Sequence, residues 1–153
     1  MTLRSALLGV FCLSLLTLVA ACTGPKKTAG ISDSEAPIGA TTIVASTDSS
    51  PKKAYRETAT VLQDQGFQIE SSDATLRQIT TTPKSNADVI APVDNLRLSI
   101  QVVKSSETRI RVTGTYSDGY EIEKRGQSGS PTRKAWKAMY EVAAKMGAVS
   151  GYE

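Results

Sequence analysis

Residues 96–116 read LRLSIQVVKSSETRIRVTGTY, and their apolar pattern sets the architecture of the whole chain. Apolar side chains occupy every second position on both sides of a polar centre, which is typical of two half-buried strands joined by a turn. One antiparallel register buries all of them together. It pairs Val102 with Ile110, Ile100 with Val112, Leu98 with Gly114 and Leu96 with Tyr116. We therefore expect a β-hairpin closed by the polar loop 104–108.

Two helices are predicted, one on each side of this hairpin, by the same pair of signals. Ser-Pro at 50–51 and at 130–131 supplies an N-cap residue and a proline at the first helical position, and Gly66 and Gly147 supply the stops. Between these signals, core-facing positions recur at spacings of three and four residues. They are Ala54, Thr58, Val61 and Leu62 in the first helix, and Trp136, Met139, Ala143 and Met146 in the second.

Shorter strands complete the predicted fold. Thr41–Ala45 is rich in β-branched residues, and a strand beginning at Phe67 is followed by a turn at 71–73 and a strand at 75–82. A glycine turn at 117–119 leads into a further strand that ends near Lys124. The order strand, helix, strands, helix predicts an α+β fold, a two-layer sandwich of an antiparallel sheet with two helices on one face.

Composition limits the chemistry that this chain can perform. The 153 residues are 40% hydrophobic and 22% charged, which suits one folded unit and excludes a large multi-domain enzyme. The chain has no histidine, and both cysteines lie in the first 22 residues. Ser-His, Cys-His and histidine-metal sites therefore cannot form in the remainder, and we expect a non-enzyme with no metal and no cofactor. Glu121 and Glu123 are either a cation or acid-base pair or solubilising charges on an edge strand.

Residues 1–21 have the three-part layout of a signal peptide. Arg4 precedes an apolar run from Leu7 to Ala21, which is shorter than the roughly 20 residues that span a bilayer and precedes no stop-transfer charges. The run LVAACTG at 18–24 resembles the lipobox of bacterial lipoproteins. That resemblance implies a diacylglyceryl group on Cys22 and, because Thr23 is not aspartate, an outer-membrane address facing the periplasm. The alternative is that Cys22 is an ordinary residue near a conventional cleavage site.

Residues 22–40 are predicted to form a flexible tether, because they contain little apolar surface and no period. The folded domain is predicted at 41–150. Within it, residues 50–73 (SPKKAYRETATVLQDQGFQIESSD) and 79–82 (ITTT) resemble the helix-grip domain of BamC-like outer-membrane assembly lipoproteins. The likeness consists of a helix, a glycine, an aromatic strand, an aspartate turn and a strand, and it covers about a third of the mature chain. It implies a small periplasmic module.

Four basic residues are candidates for contact with an anion or a partner. Lys52 and Lys53 lie in the first turn of the first predicted helix, and Arg133 and Lys134 lie in that of the second. Cations are disfavoured at helix N-termini, so the shared pattern suggests an anion-attracting surface if both helices begin at the same end of the sheet. The alternative is that these side chains are simply solvated.

The sequence therefore predicts a lipid-anchored periplasmic protein that acts as a structural or assembly-accessory module and binds envelope proteins. The alternative is a carrier or sensor of a lipid or other amphiphile in the groove between the sheet and the second helix. Nucleic acid is not expected as a partner, because the chain is exported and its net charge is only +3.

Overall fold

The computed structural model describes residues 30–84, 95–116, 118–124 and 131–153. These residues form an α+β domain with six strands and two helices. The elements are β1 (Thr42–Thr47), α1 (Pro51–Asp64), β2 (Ile69–Asp73), β3 (Gln78–Thr81), β4 (Arg97–Lys104), β5 (Thr108–Thr115), α2 (Pro131–Met146) and β6 (Ala148–Tyr152). One antiparallel sheet has the order β2-β3-β4-β5-β1-β6. The two helices pack against this sheet, with α2 over β1 and β5, so the predicted fold class is confirmed.

The central hairpin has the predicted register. β4 pairs with β5 so that Val102 lies opposite Ile110, Ile100 opposite Val112 and Leu98 opposite Gly114. All these residues except the glycine are buried apolar side chains at the centre of the core. The alternation is sufficient to fix this pairing because a slip of one residue would move every apolar side chain to the solvated face.

Both helices begin and end where the sequence indicates. α1 has Ser50 at its N-cap and Pro51 in its first turn, and Gly66 follows it with φ 75°, in the left-handed region. The Phe67 N–H donates to the carbonyl of Leu62, which folds the chain back so that Phe67 is buried under the helix end. In α2, Trp136, Met139 and Ala143 are fully buried, so the predicted stripe is the face that covers the sheet.

The first β-hairpin differs from the prediction. β2 continues through Asp73, and the turn lies at residues 74–77, not at 71–73. The Asp73 Oδ1 atom accepts hydrogen bonds from the N–H groups of Thr75 and Leu76 and so fixes this later turn. The pairing of β2 with β3 contains a β-bulge, between Ile69 and Ser71.

Residues 120–124 do not form the predicted strand. The chain does return beside the end of β5, because Thr115 bridges Glu121, the Tyr116 N–H donates to the Tyr120 carbonyl and the Ile122 N–H donates to the Gly114 carbonyl. After this short pairing, the Lys124 N–H donates to the carbonyl of Ala40. The chain therefore leaves β5 and crosses to the segment before β1. The glycine turn itself is confirmed, because Gly119 has φ 89° and donates to the Tyr116 carbonyl.

The sequence reasoning missed β6. Its residues, AVSGY, carry little apolar alternation, and the strand exists because it pairs with β1 from Ile43↔Tyr152 to Ser46↔Ala148. Pairing continues beyond residue 150, since Glu153 exchanges backbone hydrogen bonds with Thr42. The last three residues thus belong to the packed unit.

Candidate functional site

Residues 30–36, called the N-terminal strap below, lie against the outer side of β6. The Ile31 N–H donates to the carbonyl of Val149 at 2.8 Å, and Ala36 is buried in the core. Gly30 lies so close to the same strand that an added Cβ would stand 2.7 Å from the Val149 nitrogen. The packed unit therefore begins ahead of Thr41, inside the stretch whose composition suggested a tether. Cys22 and the predicted signal peptide lie outside the described residues.

A buried ion pair holds the strap to the domain. The Lys124 ammonium donates to the Asp33 carboxylate at 2.9 Å and to the Asp33 carbonyl at 2.7 Å, and its side chain is only 6% exposed. The same ammonium lies 6.0 Å from the centre of the Trp136 ring. Because a charge inside a protein is stable only when it is paired, Lys124 requires the strap to stay in place.

Two tyrosine hydroxyls fasten the same segment. Tyr140 of α2 donates to the carbonyl of Ile31 at 3.0 Å, and Tyr152 of β6 donates to the carbonyl of Ser32 at 2.7 Å. Within the strap, the Glu35 carboxylate accepts hydrogen bonds from the backbone and the side chain of Ser32, which lower the pKa of Glu35. The strap is therefore a turn closed by its own side chains and fixed to a helix and a strand.

This attachment predicts a loss of stability at high pH. Burial, with the nearby Tyr140, Asp33 and Glu35, raises the pKa of Tyr152 to about 12. The unfolded phenol ionises near pH 10, so its contribution to folding is complete below about pH 10 and is lost as the pH approaches 12. We expect Tyr152→Phe to flatten the decline in free energy of unfolding over this range, measured by urea denaturation at several pH values. Tyr55→Phe, on α1, is the control, and equal slopes for Tyr152→Phe and the wild type would contradict the assignment.

The structure does not bring the four candidate basic residues together. α1 follows β1 and runs back along the sheet, whereas α2 starts near the beginning of β1 and ends beside Ser46. The two helix starts therefore lie at opposite ends of the sheet, with Lys52 and Lys53 at one end and Arg133 and Lys134 at the other. A single surface made of all four cations does not form, because the two helices run antiparallel.

The groove between the sheet and α2 is closely packed. Trp136 and Met139 are fully buried, and a Cβ added at Gly114 would stand 2.5 Å from the Met139 sulfur. Three buried polar atoms have no hydrogen-bond partner among the described residues: Thr58 Oγ1, Tyr116 Oη and Trp136 Nε1.

The acidic side chains form no evident cation site. Glu121 is exposed and Glu123 is half-buried, and neither belongs to a regular strand. Within the described ranges, no group of three or more metal-ligating side chains could hold an ion. In the same part of the chain, no helix is long and apolar enough to cross a membrane.

The described residues form a small α+β domain with a six-stranded antiparallel sheet and two helices, and the strap is packed against it. No protein-family model matches this chain, and no curated protein matches it.

The strap was missed because its composition is polar, yet one signal was present. Ser32 and Glu35 have the spacing of a capping box, a motif that begins a helical turn. The buried partner, Lys124, stands 91 residues away from Asp33 and had no signal of its own.

Proposed function

We propose that this protein is a lipid-anchored accessory module of the bacterial envelope, held at the periplasmic face of the outer membrane through Cys22, and that it binds envelope proteins. The lipobox-like run at 18–24 supports the anchor. The closely packed groove beside α2 favours a protein-binding surface over the alternative of a lipid carrier. We also propose a BamC-like helix-grip domain as its structural relative, on the resemblance of residues 50–73 and 79–82.

One observation carries the protein-binding proposal: the two edges of the sheet differ. The strap lies along the outer side of β6, whereas no described residue pairs with the outer side of β2. β2 is exposed from Glu70 to Asp73. An uncovered edge strand can accept a strand from another protein through backbone hydrogen bonds. Its two acidic side chains and its bulge disfavour pairing between identical copies.

A crosslinking experiment in cells tests this proposal. A photoreactive amino acid at Ser72, on the exposed edge, is expected to give one discrete adduct with an envelope protein. The same amino acid at Lys137, on the exposed side of α2, is the matched control and is expected to give none. Equal labelling at both positions, or no adduct at Ser72, would count against the β2 edge.

The anchor has its own test. Cys22→Ser removes the only thiol that could carry the lipid, since Cys12 lies within the predicted signal peptide. We expect this variant to leave the membrane fraction, and we expect the wild-type protein to gain the mass of a diacylglyceryl group in intact-mass analysis. A wild-type protein of unmodified mass would overturn the lipoprotein assignment. Ser14→Ala, in the leader, controls for changes in export.

A further inference from the structure

The charges of the domain are divided between its two ends. β1, β2 and β4 run in one direction and their neighbours run in the other, so four connections share one end of the sheet. They are β1–α1, β2–β3, β4–β5 and α2–β6, and we call this end the basic end. It carries six cationic side chains: Lys52, Lys53, Arg77, Lys104, Arg109 and Lys145. Its described acidic side chains are Asp48, Glu57, Asp73 and Glu107. Glu57 pairs with Lys53 and Glu107 pairs with Arg109, so the end has six cations against four acids.

The opposite end, called the acidic end, has the reverse balance. Acidic side chains outnumber basic ones among its described residues, and the exposed ones include Glu35, Asp64, Glu70, Asp118 and Glu121. The domain therefore has an electric dipole that runs between its two ends. Close to an anionic surface, within a Debye length of about 8 Å, the basic end is attracted and the acidic end is repelled.

The strap fixes where the anchor meets the domain. Gly30 lies against Ala148 and Val149, at the start of β6, and Gly147 packs on the backbone of Ser46 at the end of β1. The chain toward Cys22 therefore leaves from the half of the domain that contains the basic end. Eight residue steps separate Cys22 from Gly30. Such a segment reaches at most about 29 Å, which is close to the length of β4 itself.

An apolar side chain also projects from the basic end. Leu76, in the β2–β3 turn, is 58% exposed, and Asp73 and the backbone of the turn hold it in place. Arg77 follows it, with its Nε donating to the carbonyl of Val102. Such a pair suits the boundary between headgroups and acyl chains of a membrane. The apolar side chain can contact the acyl chains there while the cation stays among the solvated headgroups.

We propose that the basic end lies on the membrane and binds anionic phospholipid headgroups. This inference rests on the proposed anchoring at Cys22. The strands then stand roughly along the membrane normal, with Leu76, Lys52 and Lys104 toward the bilayer and the acidic end toward the periplasm. The β2 edge stays at the side of the domain, where a partner can reach it.

Tryptophan quenching in vesicles tests the orientation. Leu76→Trp and Tyr120→Trp place a fluorophore at exposed positions of the basic and the acidic end, while the buried Trp136 gives the same background in both. The mature lipoprotein is reconstituted in vesicles of brominated phosphatidylcholine, with or without phosphatidylglycerol. We expect quenching of Leu76→Trp to exceed that of Tyr120→Trp about twofold or more in the anionic vesicles.

Charge variants supply the controls. The double variant Lys52→Gln, Lys53→Gln should reduce the difference in quenching between positions 76 and 120. The double variant Arg133→Gln, Lys134→Gln removes the same number of charges at the acidic end and should leave that difference unchanged. Equal quenching at the two positions, or stronger quenching at position 120, would overturn the proposed orientation. If intact mass shows no acyl chain on Cys22, the anchoring proposal fails separately. The orientation is then measured with the Cys22 thiol coupled to a maleimide lipid, by the same comparison.

Discussion

Replacing Asp33 with alanine should lower the free energy of unfolding by about 3 kcal/mol, the lower part of the range for breaking a buried ion pair. The reason is that the Lys124 ammonium, with 6% of its side chain exposed, would lose its carboxylate partner. Replacing Lys124 with methionine should cost less, about 1 kcal/mol, because the Asp33 carboxylate is a quarter exposed and can regain water. A larger loss of stability for Asp33→Ala than for Lys124→Met would show that Lys124 is the buried charge that needs its partner.

Urea denaturation followed by Trp136 fluorescence measures both effects. The matched control is Glu141→Ala, which breaks the exposed pair of Lys137 and Glu141 and should change stability by less than about 0.5 kcal/mol. Equal losses for Asp33→Ala and Glu141→Ala would mean that the strap does not depend on its ion pair. Asp33→Ala should also release the strap from β6, so the chain between Cys22 and the domain becomes longer and the orientation at the membrane weaker.

The second large effect is expected at Gly114, in β5. A Cβ at this position would stand 2.5 Å from the Met139 sulfur and 3.2 Å from side-chain carbons of Ile122 and Leu96. Valine fits the alternation of the strand but not the space under α2. We expect Gly114→Val to destabilise the domain by about 3 kcal/mol, at the upper end of the range for overpacking.

Two further variants test the cause of this loss. Gly151→Ala, in β6, adds a Cβ with no atom within 4 Å and is the matched control, expected to be close to neutral. In a Met139→Ala background, Gly114→Val should cost clearly less than it does alone, because the clashing sulfur is gone. An unchanged cost in that background would show that the loss arises elsewhere in the strand.

The two variants concern different parts of the molecule. Asp33→Ala acts on the attachment of the strap, whereas Gly114→Val acts on the packing of α2 against the sheet. Substitutions at the β2 edge or at Lys52 and Lys53 remove exposed groups and should leave stability almost unchanged. Loss of a crosslink or of membrane orientation in those variants can therefore be separated from loss of the fold.

The sequence predicted the parts of the fold whose signals are local. The alternation in 96–116 was sufficient for the β4–β5 register, and the two Ser-Pro starts with their glycine stops located both helices. The turn after β2 was placed too early because Ser71 and Ser72 are turn-forming residues in isolation. Pairing with β3 holds them in the strand.

For the candidate site, the sequence could identify individual basic residues but not their arrangement in space. It identified Lys52, Lys53, Arg133 and Lys134 from their places in the helices. Whether they lie together depends on the path of the whole chain. Gly114 likewise occupies a position where the alternation alone would allow any apolar residue. Only the structure shows that a Cβ there would clash with the Met139 sulfur.

By itself, the sequence determined the central hairpin, the two amphipathic helices and the lipobox-like run, because each depends on residues close together along the chain. The tertiary structure decided the strap, strand β6 and the division of charge between the ends. Those features join residues as far apart in the sequence as Asp33 and Lys124. A local pattern cannot predict which distant residue will pair with a buried charge, or which distant strand will pair with a sheet edge.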